Sequence, residues 1–178
     1  DNELALKKNI DSVGLINNTT SQKVRQQYEE NPYPRWRYSN LLSSAIDFID
    51  DFNAQIYPNQ IILNRKFNSP KILLAGCGTG QHLLALTKYK NAKILAIDLS
   101  LSSICYAKRK IEELNIKNVE FLHADILELN KLNEKFNIIE SAGTLHHMKN
   151  PIEGLKILLN LLENDGLLRL GLYSKIAR

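Results

Sequence analysis

From Ile72 onward, short apolar runs alternate with stretches whose apolar residues recur at helical spacing. KILLA (71–75), AKILAID (92–98), VEFLHA (119–124), FNIIES (136–141) and LLRLGLY (167–173) have the length and aliphatic content of strands. Between them, QHLLALTKY (81–89), LSSICYAKRKIEEL (101–114) and PIEGLKILLNLLEN (151–164) carry apolar side chains three and four residues apart. That is the stripe of a helix packed on a core. Apolar strands alternating with helices predict an α/β fold, a Rossmann-like parallel sheet sandwiched by helices. Ser100 precedes one helix as a cap, and Pro151 falls where a first helical turn tolerates it. Asn164-Asp165-Gly166 is expected to end the last helix and turn the chain into the fifth strand.

The first seventy residues read differently. Thr20 to Glu30 has a helical pattern, NPYPRWRY (31–38) interrupts it with two prolines, and LLSSAIDFIDDF (41–52) resumes an amphipathic helix. QIYPNQIILNRKFNSP (55–70) then leads into the first strand. Residues 1–70 are therefore expected to form a helical N-terminal arm with a Pro/aromatic segment, packed on an α/β domain of residues 71–178.

Composition narrows the class. With 178 residues, 44% hydrophobic and 24% charged, the chain can bury a full core. No apolar stretch approaches the roughly 20 residues of a membrane span, and DNELALKKNI lacks the apolar segment of a secretory signal. Cys77 and Cys105 make neither a metal-ligand spacing nor a disulfide framework, so a reduced, cytoplasmic protein without a metal is expected. The net charge of +4 is scattered apart from Lys108–Lys110, unlike the dense basic stripe with interleaved aromatics of a nucleic-acid surface. The chain begins without Met, which suggests an excised part of something longer.

The candidate chemistry starts at AGCGTGQH, where the first strand breaks into glycines at 76, 78 and 80. A glycine turn between a buried strand and a helix exposes bare backbone to a ligand. A dinucleotide fingerprint would place its third glycine at position 81, which is Gln81, and no Lys follows as a phosphate loop requires. An NAD-dependent oxidoreductase is thereby disfavoured, and a nucleoside without a pyrophosphate fits the spacing better. Asp98 ends the second strand, where a carboxylate can accept from both ribose hydroxyls. Asp125 follows the third, where one can accept from the adenine amine. Each could equally be a helix-capping or loop aspartate, but their order at successive strand ends places them around one ligand.

The series AGCGTGQH, AIDLSLSSICYAKRK, HADIL and IIESAGTLHHMKNP resembles the class I S-adenosylmethionine-dependent methyltransferases. YEENPYPRW and GLLRLGLYS narrow the likeness to a bacterial subgroup often fused to tetratricopeptide repeats and related to bacterial protein-lysine methyltransferases. The resemblance covers Val24 to the end. It implies S-adenosylmethionine as cofactor, held by Gly76, Cys77, Gly78, Gly80 and Gln81 of the loop, by Asp98 and Leu99 at the ribose, and by Asp125 and Ile126 at the adenine. Ser141 and Gly143 would line the methionine side, with Tyr28 or Arg35 near the cofactor's carboxylate. Leu74 departs from the wider superfamily, which usually has an acidic residue there to help hold the amino group. The resembled fold has seven strands ordered 3-2-1-4-5-7-6, of which five are visible here. The remainder of a longer chain, or another domain, would then cover the fifth strand.

The implied reaction is in-line displacement at a sulfonium methyl, in which the protein aligns the nucleophile and excludes water. Candidates for the general base are His146, His147, Glu140 and Tyr33; the two histidines could instead shape their loop, and Glu140 could partner a backbone amide or a cation. Tyr33, Arg35 and Trp36 lie on the proline-stiffened stretch, either closing over the cofactor or clamping the arm to the sheet. After the fourth strand stands Ser141-Ala142-Gly143-Thr144, not the N/D-P-P-Y element used for planar amide or nucleobase nitrogens. The subgroup resemblance makes a protein lysine the first expected methyl acceptor, with small molecules and a non-catalytic cofactor-binding module as alternatives.

Overall fold

The computed structural model describes residues 2–38, 45–63 and 67–173. Six parallel strands form one sheet: β1 (Asp11–Val13), β2 (Lys71–Ala75), β3 (Lys93–Asp98), β4 (Val119–Ala124), β5 (Phe136–Ala142) and β6 (Leu162–Gly171), in the order β1-β4-β3-β2-β5-β6. The helices are α1 (Asn2–Lys7), α2 (Thr19–Glu30), α3 (Phe48–Gln55), α4 (Leu83–Thr87), α5 (Leu101–Glu113) and α6 (Pro151–Leu161), with 3-10 turns at Ile126–Lys131 and Leu145–His147.

Strand periodicity sorts the core into two layers. Ile72 and Leu74 of β2, Ile94 and Ala96 of β3 and Ile138 of β5 face Phe48, Phe52, Leu83, Leu86 and Ile104 on one side. Leu73, Ala75, Ile97 and Ile139 face Leu129, Leu145, Ile157 and Leu158 on the other. A sheet covered on both faces explains why its central strands are apolar throughout. Ser100 caps α5 by accepting from the Ser103 N–H at 3.1 Å, and Pro151 opens α6.

Three expectations change. Residues 11–13 are an exposed strand, not part of a wholly helical arm; DSV pairs with Leu122–Ala124 and extends the sheet beyond β4. The helix expected over 41–52 starts only at Phe48, because the Asp47 carboxylate caps the Ile49 N–H at 2.8 Å and Ile46 instead bridges to Tyr89. Positions 41–44 of that expectation lie outside the described residues. Asn164-Asp165-Gly166 does not separate helix from strand. β6 begins directly after α6 at Leu162, opposite Phe136, and regains register at Leu167, opposite Ile138. The intervening residues form an irregularity in a strand already under way.

The arm is held by charge as well as packing. Glu29 of α2 accepts from the Ser102 N–H at the start of α5 (2.9 Å), from the Ser100 hydroxyl (3.1 Å) and from Lys7 (3.1 Å). Burial opposes ionisation of Glu29, but its hydrogen bonds with Ser102 and Lys7 and the charge of Lys7 outweigh it and lower its pKa to about 2. Arg109 of α5 pairs with Glu3 at 2.9 Å.

Candidate functional site

A cavity of about 660 Å³ opens at the carboxyl ends of β2, β3, β4 and β5, where ligands of open α/β sheets bind. At its centre the turn after β2 returns to β3: the N–H groups of Gly76 and Cys77 both donate to the Ile97 carbonyl at 2.9 Å. Gly76, Gly78 and Gly80 all have positive φ, but their spaces differ. A Cβ on Gly76 would lie 2.0 Å from Thr144 Oγ1, and one on Gly80 would lie 2.8 Å from the Ala107 Cβ of α5. A Cβ on Gly78 would meet only the Tyr33 carbonyl within 4 Å, at 3.8 Å. Two of the glycines thus serve close packing, and Gly78 is the one that leaves bare backbone beside open space.

Asp98 sits at the end of β3 with both oxygens engaged, Oδ2 by the Gly78 N–H and Oδ1 by the Ser100 N–H, each at 2.8 Å. Burial raises its pKa above the ordinary 3.8, against the opposing effect of these N–H groups and of His123. A carboxylate has about four lone-pair directions, so two remain for a ligand's hydroxyls. Asp125, buried beside the cavity, uses Oδ1 to cap the turn at Ile126–Lys131 through the Leu127 N–H at 3.0 Å. The capping role and the cavity position coexist in the same side chain. Leu99, Ile126, Cys77 and Gln81 also line the cavity, and burial holds the Cys77 thiol well above its usual pKa, in its unreactive form.

The opposite end is aromatic. His146 and His147, on the 3-10 turn after β5, have ring centroids 4.1 Å apart. Tyr28 of the arm meets His147 edge-on at 6.2 Å, and Tyr173 meets His146 at 4.7 Å. All four line the cavity together with Tyr33 and Gly143. The Pro/aromatic segment both clamps and roofs: the buried Trp36 donates its indole N–H to the Thr79 carbonyl at 2.9 Å, the Thr79 hydroxyl donates to the Pro34 carbonyl at 2.5 Å, and Tyr33 stays 74% exposed at the mouth.

Four expected site residues lie elsewhere. Gly80 packs against α5. Arg35 points to solvent and does not reach the cavity. Ser141 is buried beneath the lining formed by Ala142, Gly143 and Thr144. Glu140 is fully buried on the face of the sheet that packs α4, with Oε2 2.8 Å from His82 Nε2 and Oε1 3.5 Å from Arg169, so it is no direct base. Conversely, His82, Thr79, Thr144 and Tyr173 line the cavity without having been singled out. His82 stands in the quoted glycine motif, but its partner is brought to it only by strand register. Among the described residues no helix is long and apolar enough to cross a membrane, and no cluster of His, Cys, Asp and Glu could hold a metal.

A parallel sheet with its helices on both faces, opening over a glycine turn and two successive strand-end carboxylates, is the Rossmann-like fold of the class I methyltransferases. Residues 67–176 match the family described as a methyltransferase domain, and the chain belongs to that family. It is 32% identical to PKMT2 from Rickettsia typhi, determined in complex with AdoHcy, with a TM-score of 0.53 over 60% of this chain and 21% of that one. Coclaurine N-methyltransferase shares the fold at 23% identity, with a TM-score of 0.63 over 94% of this chain and 52% of that one. A malonyl-[acyl-carrier protein] O-methyltransferase of a Paenibacillus species is 31% identical over 104 residues, 57% of this chain and 38% of that protein. The chain spans 27%, 54% and 24% of the lengths of three further curated relatives.

Proposed function

We propose that the cavity binds S-adenosylmethionine and that the chain directs its methyl group to an amine, with a protein lysine side chain as the first expected acceptor. The observation that carries the cofactor assignment is the Gly78–Asp98 pair: open backbone beside a carboxylate already oriented by two main-chain N–H groups, with lone pairs to spare. Asp98 would accept from the ribose hydroxyls, Asp125 from the adenine amine through its second oxygen, and Leu99 and Ile126 would flank the base.

When bound, the cofactor supplies an electrophilic methyl on a sulfonium with a neutral leaving group. The chain's own contribution is alignment and exclusion of water. Tyr28, Tyr33, Tyr173 and the two histidines enclose the other end, where ring faces favour a cationic amine. Loss of the amine's proton before attack calls for an acceptor, and His146 and His147 of the cavity lining are the candidates for it. The amine acceptor is supported by this aromatic lining and by the resemblance to bacterial protein-lysine methyltransferases. The O-methyltransferase relative favours a second reading, a small or carrier-bound oxygen nucleophile. The half-buried leucines along the β6 edge fit a covering segment from a longer chain or another domain.

Incubation of the protein with methyl-labelled S-adenosylmethionine and cell extract tests the reading. Label on lysine of acceptor proteins is expected. Label confined to small molecules would replace the acceptor, and absence of cofactor binding by calorimetry would remove the assignment altogether.

A further inference from the structure

A row of polar side chains crosses the carboxyl ends of three neighbouring strands. Ser12 of β1 is the register partner of His123 on β4, and His123 is that of Asp98 on β3. Register partners on adjacent strands stand on the same face of a sheet, so the three are neighbours. Asp98 and the residue after it, Leu99, line the cavity, whereas Ser12 and His123 lie outside it.

The row reaches the cavity through main chain. His123 Nε2 is 2.9 Å from the Leu99 carbonyl oxygen, and Nδ1 is 3.3 Å from the Ser12 hydroxyl. A carbonyl oxygen only accepts, so Nε2 carries the proton of that bond. In the neutral ring Nδ1 accepts from Ser12, and in the charged ring it donates to the same oxygen. The Leu99 bond is kept in both states.

The Leu99 carbonyl and the Ser100 N–H are opposite ends of one rigid peptide plane. Asp98 Oδ1 accepts from that Ser100 N–H at 2.8 Å. The plane is therefore gripped twice, by His123 at its C=O and by the Asp98 carboxylate at its N–H. The α5 ladder does not hold this C=O, since Ser100 is the N-cap and its own carbonyl takes the Ile104 N–H at 3.1 Å. Rotation of the plane would turn the N–H that aims one oxygen of Asp98, while Gly78 holds the other.

We propose that His123, steadied by Ser12, is a positioning residue for the nucleoside end: it locks the Leu99–Ser100 peptide and through it the direction in which Asp98 meets the ribose. The proposal rests on the cofactor assignment above. It also gives the short first strand a part in cofactor affinity.

Calorimetric titration with S-adenosylhomocysteine tests it. His123→Leu is expected to weaken binding by about three- to tenfold, the equivalent of one neutral hydrogen bond. His123→Asn, whose shorter amide ends near the Nδ1 position, should do the same and decides the matter if the leucine variant does not fold. His123→Gln, whose amide reaches the Nε2 position with an N–H to donate, should recover affinity to within about twofold of the unsubstituted protein. Ser12→Ala should cost a smaller share than His123→Asn. In an Asp98→Ala background, His123→Asn should add no further loss, because the group it orients is gone. Equal affinities of the Gln and Asn variants, or an undiminished loss in the absence of the Asp98 carboxylate, overturn the proposal. Failure of the unsubstituted protein to bind S-adenosylhomocysteine would instead remove the cofactor assignment, so the two failures are separable.

Discussion

The two ends of the cavity are built on different principles. At the nucleoside end, Asp98 and Asp125 stand at the ends of adjacent strands, each fixed by a main-chain N–H of its own loop, and Asp98 by a second from Gly78 in the neighbouring glycine turn. At the other end the lining consists of long side chains from three separated segments: Tyr28 and Tyr33 from the arm, His146 and His147 after β5, and Tyr173 after β6. The first arrangement follows from backbone geometry at the carboxyl ends of β2, β3 and β4. The second exists only once the arm and the last strand have docked. Substitutions at the two ends should therefore separate affinity for the cofactor from turnover of the acceptor.

The largest effect is expected from Gly78→Val, which puts a branched side chain into open cavity at a φ of 51°. Cofactor affinity measured by calorimetry should fall by about a hundredfold or more, and the strain of a β-branched residue at positive φ should lower the melting temperature as well. Asp98→Ala should weaken binding by about 1.5–3 kcal/mol, the range for hydrogen bonds to a charged group. Because burial raises the Asp98 pKa, binding by the unsubstituted protein should begin to weaken on acidification while still above pH 3.8, as the protonated carboxyl loses acceptor capacity. A titration flat down to that pH would contradict the role.

Glu29→Gln sharpens the comparison from the arm's side. A carboxylate whose pKa is lowered on folding contributes stability above its unfolded value, near 4.5, and the contribution disappears as pH falls to about 2. The variant should melt a few degrees lower at pH 7, for a loss of about 1 kcal/mol at the α5 N-terminus, and the gap should close in acid. The smallest effect belongs to Tyr33→Ala. Cofactor affinity should stay within about twofold while kcat/KM for an amine acceptor drops about two- to fivefold, the range of an exposed cation–π contact. An equal drop in cofactor affinity would erase the distinction between the two ends.

The same contrast governs what could be read from the chain. β2 and β4 fall on the expected residues, and β3 and β5 within one residue of them, because buried parallel strands announce themselves as apolar runs. β1 carried no such signal: Asp11 and Ser12 are exposed, and the strand exists because β4 offers an edge to pair with. The strand-end aspartates were legible because alternation locates the end of each strand. The glycines were legible only as bare backbone. Spacing does not say whether a ligand or a helix fills the space, and in the event Ala107 and Thr144 fill two of the three. Arg35 and Ser141 failed for a related reason, since proximity in sequence to a lining residue does not determine which way a side chain faces. The His82–Glu140 contact depends on the register between β2 and β5, which no local pattern encodes.

Thr79 is gripped twice by one short stretch of the arm, through its hydroxyl at Pro34 and its carbonyl at Trp36. The roof of the cavity and the floor on which a ligand rests are thus tied through a single residue, and neither can shift far without dragging on the other. Escape of a bound molecule past Tyr33 would have to work against the same fastening that holds residues 33–36 in place, so residence time, more than capture, is the quantity expected to respond to changes there.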